Sequence, residues 1–195
     1  KRIFRKNEMK RITLDIETSN DFMEVAFDPA KLDLALICIH DSETNEYSSY
    51  TQEELPKLWP ILEKADVLVG YNSDHFDLPL LDKYYPGNLF TIKSVDIMKE
   101  VKEAMGRRLK LDNIAQATLG RGKTGDGLQA VKWWKEGKVE LVRQYCIEDV
   151  RLTKEIYEYA RKNKSLKYRD FDGVREVKLD TSQWEKAGAA ALTHT

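Results

Sequence analysis

The chain has 195 residues, which is enough for one domain with a well-buried core. Its 32 basic and 33 acidic residues nearly cancel, so the whole molecule exerts no long-range attraction on a polyanion, and any nucleic-acid binding must be local. No apolar run approaches the roughly 20 residues that a membrane span requires, and no basic start leads into a long apolar centre. We therefore expect a cytoplasmic protein that does not bind membranes.

The first half of the chain predicts strands. Apolar and polar residues alternate over 11–16, which indicates a first strand with Asp15 near its end. The apolar run 32–40 suits a strand that is buried on both faces. Residues 46–51 follow a turn-forming segment and predict the third strand of an antiparallel meander.

From residue 53 onward, apolar residues recur at helical spacing. A helix at 53–65 crosses over to a short buried strand at 66–70, and a fifth strand is expected at 89–95. The other predicted helices lie at 77–85, 94–105, 111–119, 128–135 and 138–162. These elements predict an α/β fold with a mixed five-stranded sheet, in which an antiparallel meander and parallel strands are flanked by helices and the first strand is central.

We expect four segments along the chain. A leader at 1–10 precedes a domain at 11–165, and a C-terminal hairpin at 166–184 is followed by a frayed tail at 185–195. The chain begins with Lys1 rather than methionine, which favours a fragment or a processed product. Cys38 and Cys146 have no partner at metal-ligand spacing and are expected to be buried free thiols in a reducing compartment.

Asp15 and Glu17 predict a metal site at the end of the first strand. Residues i and i+2 of a strand point the same way, so both carboxylates share one face. Two such charges near a core raise each other's pKa unless a hard divalent ion compensates them. The alternative is that one carboxylate caps the following turn while the other faces water.

Two further acidic residues occur in later motifs. Asp77 ends the segment 72–77, which leaves a strand and enters a helix, where helix capping would be the simpler role. Tyr145 and Asp149 are four residues apart on the longest predicted helix and therefore share a face. Alone, that last spacing carries little information.

Together the three motifs resemble the DEDD superfamily of 3'-5' exonucleases. Asp-x-Glu, Asn-x-x-x-Phe-Asp and Tyr-x-x-x-Asp occur in that order between about residues 11 and 161. Gln144 stands where the other form of the superfamily has histidine, which indicates the tyrosine form. The segments Leu-Asp-Ile-Glu-Thr, Gly-Tyr-Asn and Leu-Lys-Leu-Asp-Asn-Ile-Ala are most similar to the proofreading exonuclease domain of family B DNA polymerases. The resemblance implies a ribonuclease H-like fold.

The resemblance also implies a two-metal mechanism with Mg²⁺ or Mn²⁺ as cofactors. Asp15 would bridge the two ions, Glu17 and Asp149 would hold the ion that activates water, and Asp77 would serve the ion near the leaving group. Tyr145 would orient the attacking water, since its hydroxyl is a poor base at neutral pH. The implied substrate is a single-stranded 3' end of DNA.

Side chains beside these motifs are candidates for substrate binding. Thr18, Asn72 and Phe76 adjoin the acidic residues. Basic residues in the loops could hold substrate phosphates, although solvated loop charge explains them equally well. These basic residues are Arg107, Arg108, Lys110, Arg121 and Lys123.

Three other interpretations remain open at this stage. An exoribonuclease would use the same acidic residues, because no element of the sequence reads a 2'-hydroxyl. A catalytically silent nucleic-acid-binding module on the same fold is a second alternative, and a nuclease domain detached from a larger protein is a third. No protein partner is indicated, and we expect a monomer.

Overall fold

The computed structural model describes residues 9–186, which form seven strands and six helices. The strands are β1 Arg11–Thr18, β2 Leu34–Asp41, β3 Glu46–Thr51, β4 Val67–Gly70, β5 Ser94–Asp96, β6 Ser165–Asp170 and β7 Gly173–Lys178. The helices are α1 Leu55–Leu62, α2 Asp77–Asp82, α3 Ile97–Met105, α4 Leu111–Leu119, α5 Gly127–Lys135 and α6 Val139–Asn163.

The predicted mixed sheet with a central first strand is confirmed. The five strands lie in the order β3-β2-β1-β4-β5. β1 and β3 pair antiparallel to β2, whereas β4 runs parallel to β1 and to β5. Strand order therefore switches beside the carboxyl end of β1, where open α/β sheets bind their ligands.

Helices cover both faces of this sheet. Ile12, Leu14 and Ile16 of β1 pack on the face that carries α1 and α2. On the opposite face, Leu36 and Cys38 of β2 pack against the long helix α6. Because side chains alternate along a strand, residues 13, 15 and 17 of β1 face α6.

Several predicted boundaries differ from those in the structure. The run 32–40 begins its strand only at Leu34, after a single 3-10 turn at Pro29–Lys31. The strand predicted at 89–95 is shorter, because the Asn88 side chain caps a 3-10 turn at Leu89–Thr91 and leaves Ser94–Asp96 for pairing. The helix predicted at 94–105 begins at Ile97, since the Asp96 carboxylate accepts the Met98 and Lys99 amides as its N-cap.

The C-terminal segment forms a hairpin that packs on the domain. β6 and β7 pair antiparallel, and the chain then folds back so that the Trp184 ring stacks on Tyr157 with centroids 5.2 Å apart. Glu185, which we expected to begin a frayed tail, instead forms ion pairs with Arg11 and Arg161. Most of the predicted leader, 1–8, and the last residues of the tail, 187–195, lie outside the described residues.

Within residues 9–186, no helix combines the length and the apolar character that a bilayer crossing requires.

Candidate active site

Two acidic side chains project from β1 toward α6. Asp15 and Glu17 lie on the face opposite to the apolar residues at 12, 14 and 16, as the strand alternation predicts. β1 pairs with β4 only from Arg11 to Thr13. The part of β1 that carries Asp15 and Glu17 therefore has no pairing partner in β4. The Glu17 side chain is buried, and within residues 9–186 its carboxylate accepts no hydrogen bond.

Asp77 reaches this strand from the start of α2. The turn after β4 is tight: a Cβ at Gly70 would lie 2.3 Å from the Ser73 side chain, so glycine is required there. Asn72 adopts a left-handed φ of 66° within the same turn. The Asp77 carboxylate then accepts the Ile16 amide of β1 at 3.0 Å instead of capping its own helix, whose N-cap is Phe76. The Asp77 carboxylate therefore holds β1 and does not act as the helix cap that the sequence offered as an alternative.

Helix α6 contributes three side chains on one face. Asp149 is buried, and its Oδ1 atom has no hydrogen-bond partner among the described residues. Cys146 donates its thiol hydrogen to the Asp15 carbonyl at 3.3 Å, and its sulfur lies 3.7 Å from the Asp15 carboxylate. The Tyr145 ring meets Trp133 edge-on, and its hydroxyl donates to the Gly125 carbonyl at 3.5 Å.

A lysine completes the group. Lys123 comes from the loop between α4 and α5, and its Nζ atom lies 2.5 Å from Asp149 Oδ2 and 5.1 Å from the centre of the Tyr145 ring. The Asp112 carboxylate accepts the Lys123 amide at 2.8 Å. A Cβ at the neighbouring Gly122 would lie 2.1 Å from that carboxylate, so this loop must pass close to α4.

All four carboxylates and Lys123 line one open cavity of about 590 Å³. Tyr71, Asn72 and Tyr145 also face this cavity. Its mouth carries exposed apolar side chains, among them Phe27 and Leu128, which are 72% and 66% exposed. An acidic floor that can hold cations and an apolar rim that can stack on flat rings therefore lie in the same cavity.

Burial dominates the electrostatics of the floor. It raises the pKa of Asp15 well above its usual range, and the charges of Asp149 and Asp77 raise it further. Burial likewise raises the pKa of Glu17 and of Asp149, and it raises the pKa of Asp77 to about 7. Without a cation, these groups resist ionising together at neutral pH.

Lys123 offsets part of this charge. Burial alone would lower the pKa of its ammonium, but the carboxylates of Asp149 and Asp15 outweigh burial and raise it. The lysine therefore stays protonated. One fixed positive charge against four carboxylates, three of which belong to buried residues, still leaves the floor strongly acidic if they all ionise.

The residues present fit a divalent metal ion. Ligand atoms of Asp15, Glu17 and Cys146 all lie within 4.8 Å of one another, and the unpartnered Asp149 oxygen is one further acceptor without a donor. Carboxylate oxygens are the preferred ligands of Mg²⁺ and Mn²⁺. Burial raises the pKa of the Cys146 thiol, which therefore stays protonated and donates to the Asp15 main-chain carbonyl.

The predicted site residues separate into two groups. Thr18, Asn72, Phe76 and Tyr145 line the cavity together with the acids and Lys123. The remaining basic candidates do not line it. Arg121 pairs with Glu155 at 2.6 Å and Arg107 with Asp170 at 3.0 Å, while Arg108 and Lys110 border other hollows.

Two features of the site were not assigned from the sequence. Cys146 follows Tyr145 and lies three residues before Asp149, so helical spacing alone could have placed it on the same face. The apolar rim, with Phe22, Met23 and Phe27, comes from the loop after β1, where no periodic pattern reveals orientation.

Comparisons with known proteins agree with this architecture. The model of the RNase_H superfamily matches residues 12–161. A search of curated proteins finds no match. Among solved structures, the family B DNA polymerase from the hyperthermophilic archaeon Pyrobaculum calidifontis is similar, with a TM-score of 0.62 and 17% identity over 80% of this chain. This chain covers 25% of that polymerase. The predicted ribonuclease H-like fold is confirmed.

Proposed function

Since this chain belongs to the RNase_H superfamily, we propose that it is a metal-dependent 3'-5' exonuclease of the DEDD type, acting on single-stranded 3' ends of DNA. The superfamily supports nuclease activity on nucleic acid in general. The finer proposal is carried by one observation: carboxylates from β1, α2 and α6 converge in one open cavity, and a buried oxygen of Asp149 there lacks any donor among the described residues.

Asp15, Glu17, Asp77 and Asp149 would hold two divalent ions, Mg²⁺ or Mn²⁺. When bound, such ions supply an activated water and stabilise the charge of the transition state. The protein holds this part of the site in place beforehand: the Ile16 amide donates to the Asp77 carboxylate, and the Cys146 thiol ties the Asp15 main chain to α6. This arrangement lowers the reorganisation needed when the ions bind.

Tyr145 would orient the attacking water. Burial raises the pKa of its hydroxyl, and the nearby Asp149 charge raises it further, so the phenol stays protonated at neutral pH. A protonated phenol can donate or accept a hydrogen bond but is a poor general base. Positioning is therefore the role that its environment favours.

Substrate binding would use both the floor and the apolar rim of the cavity. The Lys123 ammonium reduces the negative charge of the floor, so that an anionic phosphate can approach. Phe76 and the exposed rim side chains offer apolar surfaces on which an unpaired base can stack. Thr18 and Asn72 lie in the same cavity, where their polar groups can contact the terminal nucleotide.

The test uses single-stranded DNA labelled at its 5' end, with Mg²⁺ or Mn²⁺. A 3'-5' exonuclease shortens the labelled strand one nucleotide at a time, whereas digestion from the 5' end releases the label at once. Replacing the last internucleotide phosphates at the 3' end by phosphorothioates, which resist hydrolysis, should stop or strongly slow the reaction. Failure of the protein to shorten any strand with either metal would refute the proposal.

A matched RNA strand of the same sequence separates the two nuclease interpretations. DNA is expected to be degraded faster than RNA. Faster hydrolysis of RNA would replace the proposed substrate by the exoribonuclease alternative, and hydrolysis of neither polymer would favour a silent binding module.

A further inference from the structure

A chain of hollows continues from the candidate active site across the surface. Asn72 lines both the acidic cavity and a second hollow of about 250 Å³ beside α3. Arg108 lines that second hollow and also a third, of about 390 Å³, which lies between α4 and the C-terminal hairpin. We call the second and third hollows together the α3-hairpin groove.

The groove is richer in basic than in acidic side chains, although the whole chain is almost neutral. Five basic and three acidic residues line it, and the acids have other partners. The Asp96 carboxylate accepts the amides of Asn72 and Asp74 and caps α3. Asp74 forms an ion pair with Lys99 at 3.3 Å. The Asp112 carboxylate accepts a hydrogen bond from the Lys123 amide.

The remaining basic residues of the groove are exposed and available. Within residues 9–186, no carboxylate lies within salt-bridge distance of Lys102, Arg108, Lys110 or Arg169. Exposed charges of one sign along a continuous surface attract a polyanion locally, even when the net charge of the molecule is close to zero.

The structure holds these charges in fixed positions relative to the active site. Tyr71 lines the acidic cavity, and its hydroxyl donates to the Leu109 carbonyl at 2.9 Å, which ties the loop of Arg108 and Lys110 to the cavity wall. On the far side, the Asn113 side chain bonds both the amide and the carbonyl of Arg169. These bonds lock the hairpin against α4.

From this continuity and this charge we infer that the α3-hairpin groove binds the phosphates of the single strand behind its 3' end. The inference rests on the proposed function, because that function places the 3' end of the strand in the acidic cavity. Arg108, Lys110 and Arg169 would contact nucleotides that take no part in hydrolysis. The C-terminal hairpin would therefore serve as part of the nucleic-acid-binding surface.

The test compares a triple variant, Arg108→Ala, Lys110→Ala and Arg169→Ala, with a control that loses three exposed lysines outside the groove, Lys57→Ala, Lys64→Ala and Lys162→Ala. Both variants change the net charge equally. Binding of a labelled DNA strand of roughly 16 nucleotides is measured by anisotropy in EDTA over a series of salt concentrations. Hydrolysis of a trinucleotide is measured separately with Mn²⁺.

The groove variant should bind the long strand roughly 10- to 100-fold more weakly, and the slope of log K against log salt should fall by roughly 2, since each phosphate contact on a single strand contributes roughly 0.7. Its rate of trinucleotide hydrolysis should fall by less than its affinity for the long strand, because a trinucleotide makes fewer of these phosphate contacts. Unchanged long-strand binding, or an equal loss in the control, would overturn the inference. If the unmodified protein hydrolyses nothing, the proposed nuclease function fails. The binding comparison in EDTA still decides whether the α3-hairpin groove binds single-stranded DNA.

Discussion

The pKa of Asp15 is set by burial and by the charges of its neighbours. Burial raises its pKa, Asp149 and Asp77 add like charge, and Lys123 only partly compensates. Asparagine has nearly the same shape but no charge, so Asp15→Asn separates charge from packing. We expect hydrolysis to fall by at least roughly a hundredfold. In EDTA, we expect the free energy of unfolding to rise by on the order of 1 kcal/mol, because one buried like charge is gone.

A carboxylate outside the cavity provides the control for that experiment. Glu148 precedes Asp149 on α6 but pairs with Arg151 and Arg121 at the surface. Glu148→Gln should leave the hydrolysis rate within about twofold of the unmodified protein, because Glu148 does not line the cavity and its ion pairs contribute little to stability. An Asp15→Asn protein that kept full activity would remove Asp15 from the mechanism.

Tyr145 poses a different question, since its hydroxyl carries no charge at neutral pH. Tyr145→Phe keeps the ring that packs on Trp133 and removes only the hydroxyl. We expect the turnover number to fall roughly 10- to 100-fold, whereas the increase in melting temperature caused by Mn²⁺ should not change. If the variant lost its response to Mn²⁺, the hydroxyl would be acting through the metal site rather than on water.

At the scale of the elements, the loop between α4 and α5 has the tightest packing near the site. Gly122→Ala would place a Cβ 2.1 Å from the Asp112 carboxylate, so the bond from the Lys123 amide to Asp112 must break or the loop must move. We expect hydrolysis to fall by at least roughly tenfold, with destabilisation of roughly 1–3 kcal/mol. Kinetics and urea unfolding measure both effects.

Gly127 supplies the matched substitution for this loop. A Cβ there meets nothing within 4 Å, and the residue begins α5, where alanine favours the helix. Gly127→Ala should therefore leave stability unchanged or slightly increased. Because Gly127 also lines the cavity, stability is the matched measurement, and equal destabilisation by both alanines would contradict the close approach at Gly122.

The elements also show which parts of the site could be predicted from the sequence. Alternation along β1 placed Asp15 and Glu17 on one face, and helical spacing did the same for Tyr145 and Asp149, because both patterns depend only on local backbone geometry. The sequence also predicted the five strands of the main sheet. Lys123 was placed in one basic group with Arg107 and Arg108, since sequence proximity does not reveal that α4 separates the two ends of that group in space.

At the scale of the whole molecule, near-neutrality hides an uneven distribution of charge. Four acids line the cavity beyond β1, while unpaired basic residues line the α3-hairpin groove beside it. A strand entering the site would meet attraction along the groove and repulsion at the floor until divalent ions bind. Bound metal is therefore expected to couple substrate binding, hydrolysis and the stability of the entire domain.

This coupling predicts how the stability of the protein depends on pH. Burial raises the pKa of Asp77 from an ordinary value of 3.8 to about 7, and it raises the pKa of the other three carboxylates in the same direction. Between the unfolded and folded pKa values, the native state binds more protons than the unfolded state. In EDTA, the free energy of unfolding must therefore fall as pH rises through this window, with a slope of roughly 1.4 kcal/mol per pH unit for each such carboxylate.

Divalent metal should offset part of this fall, because it binds the ionised carboxylates of the native state. Urea unfolding at about pH 5 and about pH 8 measures the effect, and Mn²⁺ at 100 times its dissociation constant should add about 2.7 kcal/mol at the higher pH but much less at the lower. Asp77→Asn should reduce the slope in EDTA by roughly 1.4 kcal/mol per pH unit, the contribution of one carboxylate. If metal-free stability instead rose with pH across this window, burial and mutual repulsion would not be raising the pKa of these carboxylates, and the metal site proposed for them would be wrong.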